Sequence, residues 1–551
     1  MRATWVAAGA VLHLPRRENL RRSPLIKWSV GLVGLSLIAA ACSGGGGGSR
    51  GEAATVDSGV TKGVEDALTA TTGSSTETTQ AKKAPASMAE WEALWKEQRA
   101  AIVQRIKTEG GGLSADGKSA KGTGAFNLDL TKCPAGWSDT EGLTDTEIRI
   151  GHTTAQSGIL ADYGNIARAM EVMAATVNKA GGITDSKGKT RKVTLLVKDD
   201  GYDSARTIPL VDELVDSEKV FAMWTLGSTN TLKTYDKLNQ RCVPQPLSMT
   251  GHPAWGDPLN HPWTTGLQLA YNTEAVLWGA FIEQRIDELA PSGSKATIAG
   301  LIMNNDFGKA YEIGFKAFLA QSKFKDRIEF VSETIEPSAP TITDPMTTLA
   351  SKNPVMFIAM TAGTSCTQAI QEAAQNGMKE SVKYLFQPSV CATNSFVGYD
   401  KVGDSVDGWW IVNGGQKDLI SPAFESDPYI QYARKELADG GFDYKASGSF
   451  GSGYTFGWPV FQALQIGADL PGGLTRSNLI LALRAMDMTH PNLLEGIKFN
   501  MDGTKDSYLI EGGVFQKRDA KGDKWVSDGS VIDLSGKSAN CAWDVAVASC
   551  K

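Results

Sequence analysis

Residues 148–203 read IRIGHTTAQSGILADYGNIARAMEVMAATVNKAGGITDSKGKTRKVTLLVKDDGYD, and the order of elements in this stretch decides the fold. Ile148 and Ile150 open a strand. It runs into Gly151 through Gly158, where small and hydroxyl side chains leave backbone donors free for a ligand. From Asn165 to Ala180 the apolar residues Ile166, Ala169, Met170, Met173, Ala174 and Val177 recur at helical spacing, and Gly181-Gly182 supply a left-handed stop. Val193 to Val197 is an apolar run of strand length closing on Asp199, Asp200 and Asp203. Strand, turn, helix and strand in this order predict a right-handed βαβ unit.

The pattern continues outward. Runs of strand character at Val220 to Trp224, Ala296 to Met303, Val355 to Met360, Lys383 to Phe386 and Trp409 to Val412 alternate with amphipathic helices. That alternation argues an α/β fold with parallel sheets. A chain of 551 residues can bury more than one core, so two lobes with accessory segments are expected.

Toward the amino end, the apolar stretch Trp28 to Ala41 follows Arg16-Arg17, Arg21-Arg22 and Lys27 and stops at Ala39-Ala40-Ala41-Cys42-Ser43. It is shorter than the roughly 20 apolar residues of a spanning helix. The layout predicts an export signal over residues 1–41 and lipid attachment at Cys42, hence a protein held outside the cytoplasm on the membrane. The formal net charge of the chain is −6, and losing residues 1–41 removes six basic residues and one acid, leaving −11. Such an acidic surface argues against nucleic acid as a partner.

Setting Cys42 aside, Cys133, Cys242, Cys366, Cys391, Cys541 and Cys550 form an even set, which outside the cytoplasm reads as disulfides. Six cysteines allow 15 connectivities. Sequence proximity favours Cys366 with Cys391 and Cys541 with Cys550, which leaves Cys133 for Cys242. Free thiols are the alternative. No pair has the CxxC spacing of a zinc or redox site, so neither a metal nor a cofactor is expected.

Residues 42–87 are rich in Gly, Ser, Thr, Ala and Lys with few large apolar side chains and read as a flexible tether. From Met88 to Lys107, Trp91, Leu94, Trp95, Ile102 and Ile106 fall on one helical stripe, with Ser87 as N-cap and Glu90 completing a capping box. Those tryptophans need a cover: the chain's own body, a partner protein, or the membrane surface. Residues 88–143 are thus an accessory helix and loop.

Several motifs fail in context. Gly112 to Ser119 matches the phosphate-loop pattern, yet no apolar strand precedes it and no periodic helix follows. Gly47-Gly48-Ser49-Arg50-Gly51 matches the hydrolase elbow inside a glycine linker. The histidines His13, His152, His252, His261 and His490 lack ligand spacing and accompany no nucleophile, so no catalytic residues are assigned. Asp199, Asp200 and Asp203 could hold a cation; capping the following helix is the expected role. Trp224 to Asn230 opens a helix whose amides, with Ser228 and Thr229, could cradle a carboxylate beside Gly227.

An ordered series of short motifs resembles the type I periplasmic binding proteins that serve branched-chain amino acid and amide ABC transporters. The series comprises Thr154 to Gly158, Tyr163-Gly164, Asn178 to Ile183, Asp199 to Asp203, Gly227-Ser228-Thr229, Val243-Pro244, Asn305-Asp306-Phe307-Gly308 and the helix before Asn376-Gly377. It runs from about Thr144 to the carboxyl end. The resemblance implies two doubly wound lobes within 144–551 joined by a three-crossing hinge, lobe I about 145–266 and 406–500, lobe II about 267–405 and 501–551. It also implies ligand walls at Tyr163, at Ser248, Met249 and Thr250, at Phe307, at Ala362, Gly363 and Thr364, and at Ser389. Amino acid binders of this family carry an acid near Ser389 and a tyrosine near Ala362; this chain has neither, unless Asp306 or another acid substitutes. Trp224, Trp409, Trp410 and Trp458 could bound a larger or more apolar cavity, packing in the core being the alternative for most of them.

The expected protein is a monomeric, non-enzymatic solute-binding lipoprotein. Its lobes close over a small molecule, amino-acid-like, amide or other carboxylate, and deliver it to ABC permease subunits. The alternative is a surface sensor or interaction module that docks a partner through the Trp91 and Trp95 helix.

Overall fold

In the computed structural model the described residues are 56–70, 84–158 and 160–551. The expected signal segment, Cys42 and the Gly47 to Gly51 motif lie outside them. The body is built on two parallel sheets. In the first lobe the order is Ile183–Thr184, Thr190–Asp199, Glu147–Thr154, Ala222–Thr225. Ile150 faces Leu195 on one side and Ala222 on the other, both in parallel register, so the expected βαβ unit is present. A second parallel pair, Gln245–Ser248 with Thr264–Gly266, continues this lobe through a bridge between Leu226 and Met249.

The second lobe holds a seven-stranded sheet in the order Ile328–Ile335, Ala296–Met303, Met356–Met360, Tyr384–Gln387, Trp410–Asn413, Val514–Asp519, Lys524–Ser527. The first five strands are parallel and the last two antiparallel. Ala296–Met303 is buried on nearly every residue, as a central parallel strand covered by helices on both faces must be. The helix Gly164–Lys179 packs in the first lobe against Ser449–Asp469, at a crossing that only a glycine admits. A β-carbon on Gly453 would stand 2.5 Å from that of Ala169.

Two lobe boundaries differ from expectation. Trp410–Asn413 pairs with Tyr384–Gln387 and Val514–Asp519, so it belongs to the second lobe and the chain crosses back at Gly414–Gln416 rather than near 406. The reason is local: Trp410 and Phe386 stack with ring centroids 6.0 Å apart, an in-sheet contact invisible to sequence spacing. The carboxyl tail also departs from the second lobe. Tyr508 Oη donates to the Pro253 carbonyl at 2.7 Å, Cys541 N–H to that of Gly256 at 2.8 Å, and Trp543 stands edge-on to His252.

Part of the expected tether is helical. Ser58–Ala70 is capped by Asp57, whose Oδ1 accepts from Gly59 N–H at 2.9 Å. Val60 and Val64 are buried, one turn apart, and the helix lies on Tyr271–Gln284 of the second lobe. Two valines at this spacing suffice to dock a helix whose composition alone reads as linker.

The helix Met88–Thr108 starts as expected, with Ser87 Oγ accepting from Glu90 N–H at 3.3 Å. Trp91 and Trp95 are 4 % exposed, and Trp95 meets Trp458 at 5.2 Å and donates to the Thr489 carbonyl at 3.2 Å. The chain's own first lobe is their cover. The face proposed for partner docking is therefore occupied. After it, Gly112–Leu113, Ser119–Lys121 and Asn127–Asp129 form a small antiparallel sheet, so the phosphate-loop letters Gly112 to Ser119 spell a hairpin. The disulfides are Cys133–Cys242, Cys366–Cys391 and Cys541–Cys550. Among the described residues no helix is long and apolar enough to cross a membrane.

Candidate ligand site

Between the lobes lies a cavity of about 140 Å³. One end is formed where strands of both sheets stop. Tyr163, Tyr202, Gly227, Met249 and Thr250 come from the first lobe, and Tyr271, Phe307, Ala362 and Ser389 from the second. Tyr202 is set by Asp200, a buried carboxylate that accepts from Tyr202 N–H at 2.8 Å, Thr207 Oγ1 at 2.9 Å and Asn230 Nδ2 at 3.2 Å. Asp203 caps the following helix, accepting from Ala205 N–H at 2.9 Å. The acidic cluster thus builds the wall. Gly227, at φ 93°, lies under the Tyr202 ring, where a β-carbon would come within 2.6 Å of it.

The lobes touch across this end. Tyr163 Oη accepts from Gly363 N–H at 3.0 Å, and Thr229 Oγ1 accepts from Asp306 N–H at 3.3 Å. The molecule is in a closed arrangement.

Of the residues anticipated from sequence, Tyr163, Gly227, Met249, Thr250, Phe307, Ala362 and Ser389 line the cavity. Ser228 lies behind the wall, fully buried, and shares a 2.7 Å hydrogen bond with Thr250. Ser248 is likewise fully buried, Thr229 and Gly363 are committed to the contacts between lobes, and Thr364 begins the helix Thr364–Gln375. The helix expected to cradle a carboxylate is a single turn, Ser228–Leu232, which aligns too few peptide dipoles to act as an anion site of its own.

An acid does stand at Ser389, supplied from the helix Tyr271–Gln284. Glu274 accepts from Ser389 N–H at 2.7 Å, Ser389 Oγ at 2.9 Å and Tyr311 Oη at 2.8 Å. It is fully buried behind the wall, and burial, opposed by those hydrogen bonds, pushes its carboxyl up to about 7. Asp306 is not among the lining residues. A lone glutamate at the start of the apolar run Ala275 to Ile282 is the sequence signal for Glu274.

His152 is also buried, edge-on to Trp224, with its imidazole lowered to about 4 by burial. It packs as core and stands outside the cavity lining.

The cavity does not stop at the cleft. It continues past Leu267, Gln268 and Leu269 to Asn413, Gly414, Gln416, Phe424, Phe456 and Trp525. Among the described residues its lining includes no lysine, arginine or histidine, and a single carboxyl, Asp418. Burial raises the Asp418 carboxyl above the usual carboxylate range, although Asn394 and Ile420 N–H donate to it.

Residues 147–413 match the family model described as periplasmic binding protein. The two-lobed domain has the type I periplasmic-binding-protein fold. No curated protein matches the sequence. Solved structures of the same fold include a fatty acid ABC transporter substrate-binding protein from Thermomonospora curvata, 18 % identical over 72 % of this chain and 95 % of that one, with a TM-score of 0.57. A branched-chain amino acid ABC transporter protein from Thermus thermophilus with bound valine is 15 % identical, covering 71 % and 97 %, TM-score 0.59. A solute-binding protein from Rhodopseudomonas palustris BisB5 in complex with 3,4-dihydroxybenzoic acid is 17 % identical, covering 71 % and 98 %, TM-score 0.56.

Proposed function

We propose that this protein is an extracytoplasmic solute-binding lipoprotein, anchored through Cys42, that closes on a small molecule and presents it to an ABC permease. The observation that carries the reading is the closed clamp itself: a ligand-sized cavity bounded by both lobes, with Tyr163–Gly363 and Thr229–Asp306 joining them at its edge. A ligand that touches both walls favours closure by contacts the open form cannot make. The machinery is one of capture and release, without chemistry.

The lining bears on the ligand. A free amino acid brings an ammonium and a carboxylate, and burying either without a partner costs several kcal/mol. With no cationic side chain among the described lining residues, Glu274 held behind the wall and the one lining carboxyl, Asp418, tied by the Asn394 and Ile420 amides, the site suits a ligand of little or no net charge better than a zwitterion. Such ligands fit the amide end of the range expected from sequence.

Mass spectrometry of the small molecule that copurifies with the protein, followed by its extraction and re-addition under small-angle scattering, tests the reading. Contraction on re-addition is expected. A protein that carries no small molecule and keeps one radius of gyration with every solute offered is not a clamp.

A further inference from the structure

The part of the cavity beyond the cleft reaches the hinge. Leu267 and Leu269 lie on the first crossing, Asn413 and Gln416 flank the second, and Ile510 leads into the third; all five line the same cavity as Tyr163 and Phe307. At this inner end the polar groups include three amides, beside Asp418, Ser452 and Thr455. Asn413 Nδ2 donates to Gln516 Oε1 at 2.8 Å, Gln416 Nε2 to Ser452 Oγ at 3.2 Å, and Gln516 Nε2 to Ser527 Oγ at 3.2 Å. A side-chain amide offers two donor hydrogens and two lone pairs; Asn413 also donates to the Gln416 carbonyl at 3.5 Å and accepts from Gly415 N–H at 2.7 Å, so the unspent capacity lies mainly on Gln416 and Gln516. The amides carry no charge. The rest of the wall is largely apolar, with Leu226, Leu267, Leu269, Val390, Phe424 and Phe456.

We propose, resting on the solute-binding reading above, that the ligand is an elongated, largely apolar molecule without fixed charge. One end lies between Tyr163 and Phe307, and an uncharged hydrogen-bonding group, such as a hydroxyl, ester or amide, meets Asn413, Gln416 and Gln516 beside the hinge. Each part of the cavity selects one property. Length is selected because the lining runs from Tyr163 and Phe307 in the cleft to Asn413, Gln416 and Gln516 at the hinge. Apolarity is selected by the wall, and neutrality by the lack of a cation among the described lining residues, the one carboxyl, Asp418, being held by Asn394 and Ile420 N–H. Because Asn413 and Gln416 flank a crossing, the ligand's inner end touches the backbone about which the lobes turn.

Displacement of the neutral fluorophore N-phenyl-1-naphthylamine from the purified protein supplies the test, using straight-chain alcohols from butanol to dodecanol, the matching alkylammonium ions, and leucine. Affinity is expected to rise about fourfold per methylene along the alcohols, the equivalent of about 0.8 kcal/mol. Each alcohol should exceed its ammonium counterpart by more than about tenfold. Two variants locate the inner end. Ser452→Phe should flatten the series at its long end while butanol is unaffected, and Gln416→Leu should weaken the alcohols but not the fluorophore. The wild-type series stands whether or not either variant folds. If leucine displaces the probe better than dodecanol, or affinity stops rising at butanol, the inference fails and the solute-binding reading survives. If neither the fluorophore nor any solute binds, both fail.

Discussion

The hydroxyl of Tyr163 accepts a hydrogen bond from the backbone N–H of Gly363 at 3.0 Å, joining residues 200 apart in the chain and on opposite lobes. The bond exists when the clamp is shut. Tyr163→Phe keeps the ring against Phe396 and removes the acceptor. A net loss of about 1 kcal/mol confined to the closed form corresponds to roughly fivefold weaker ligand binding. Calorimetric titration should show that change with an unaltered melting temperature of the unliganded protein; an unchanged affinity removes Tyr163 from the closure.

Glu274 makes the stability of the second lobe depend on pH. Its carboxyl is held up at about 7 against an ordinary 4.5. Between those values the unfolded chain has released the proton and the folded one retains it, so stability falls as pH rises from 4.5 to about 7 and levels off above. The full effect is on the order of 3 kcal/mol. Urea denaturation of wild type and Glu274→Gln across this window should show the variant with the flatter profile; parallel profiles refute the assignment.

Cys366–Cys391 ties together the two second-lobe loops that carry Ala362 and Ser389. Its residues are 25 apart, and closing a loop of that size stabilises by about 3 kcal/mol. The double variant Cys366→Ala, Cys391→Ala should melt lower and bind ligand more weakly than its stability loss alone explains. Binding equal to wild type at a temperature where both are folded shows that the bridge only braces the lobe.

Trp95 fills a socket made by Trp458 and Tyr429. Trp95→Ala should cost about 3–5 kcal/mol. Denaturant titration reads this directly. A change below about 1 kcal/mol would mean the helix Met88–Thr108 is loosely held in solution.

Much of the architecture was legible because parallel strands and their helices are local patterns. Ala296–Met303 matches its expected bounds, and Gly164–Lys179 lies one residue from its own. The site was legible where residues sit on loops between recognisable elements, as with Tyr163, Phe307 and Ser389. What escaped depends on pairings distant in sequence. Glu274 meets Ser389 across 115 residues, and the inner compartment is assembled from Leu269, Asn413, Phe456 and Trp525, none of which carries a local motif. Ser228 reads as a ligand hydroxyl, yet Thr250 stands in front of it as the lining residue and consumes its hydrogen bond.

The placement of the last strands has a consequence for how the protein is made. Val514–Asp519 and Lys524–Ser527 finish the second-lobe sheet, while Pro428–Asp439, Ser449–Asp469 and Arg476–Arg484 cover the first lobe, so everything after Asn413 is shared between the two. Neither lobe has a complete core until the carboxyl end is available. A ribosome or an export channel that releases this chain from its amino end first therefore holds two half-built lobes at once. A nonsense codon between Asn413 and Ser527 would leave apolar faces bare in at least one of them.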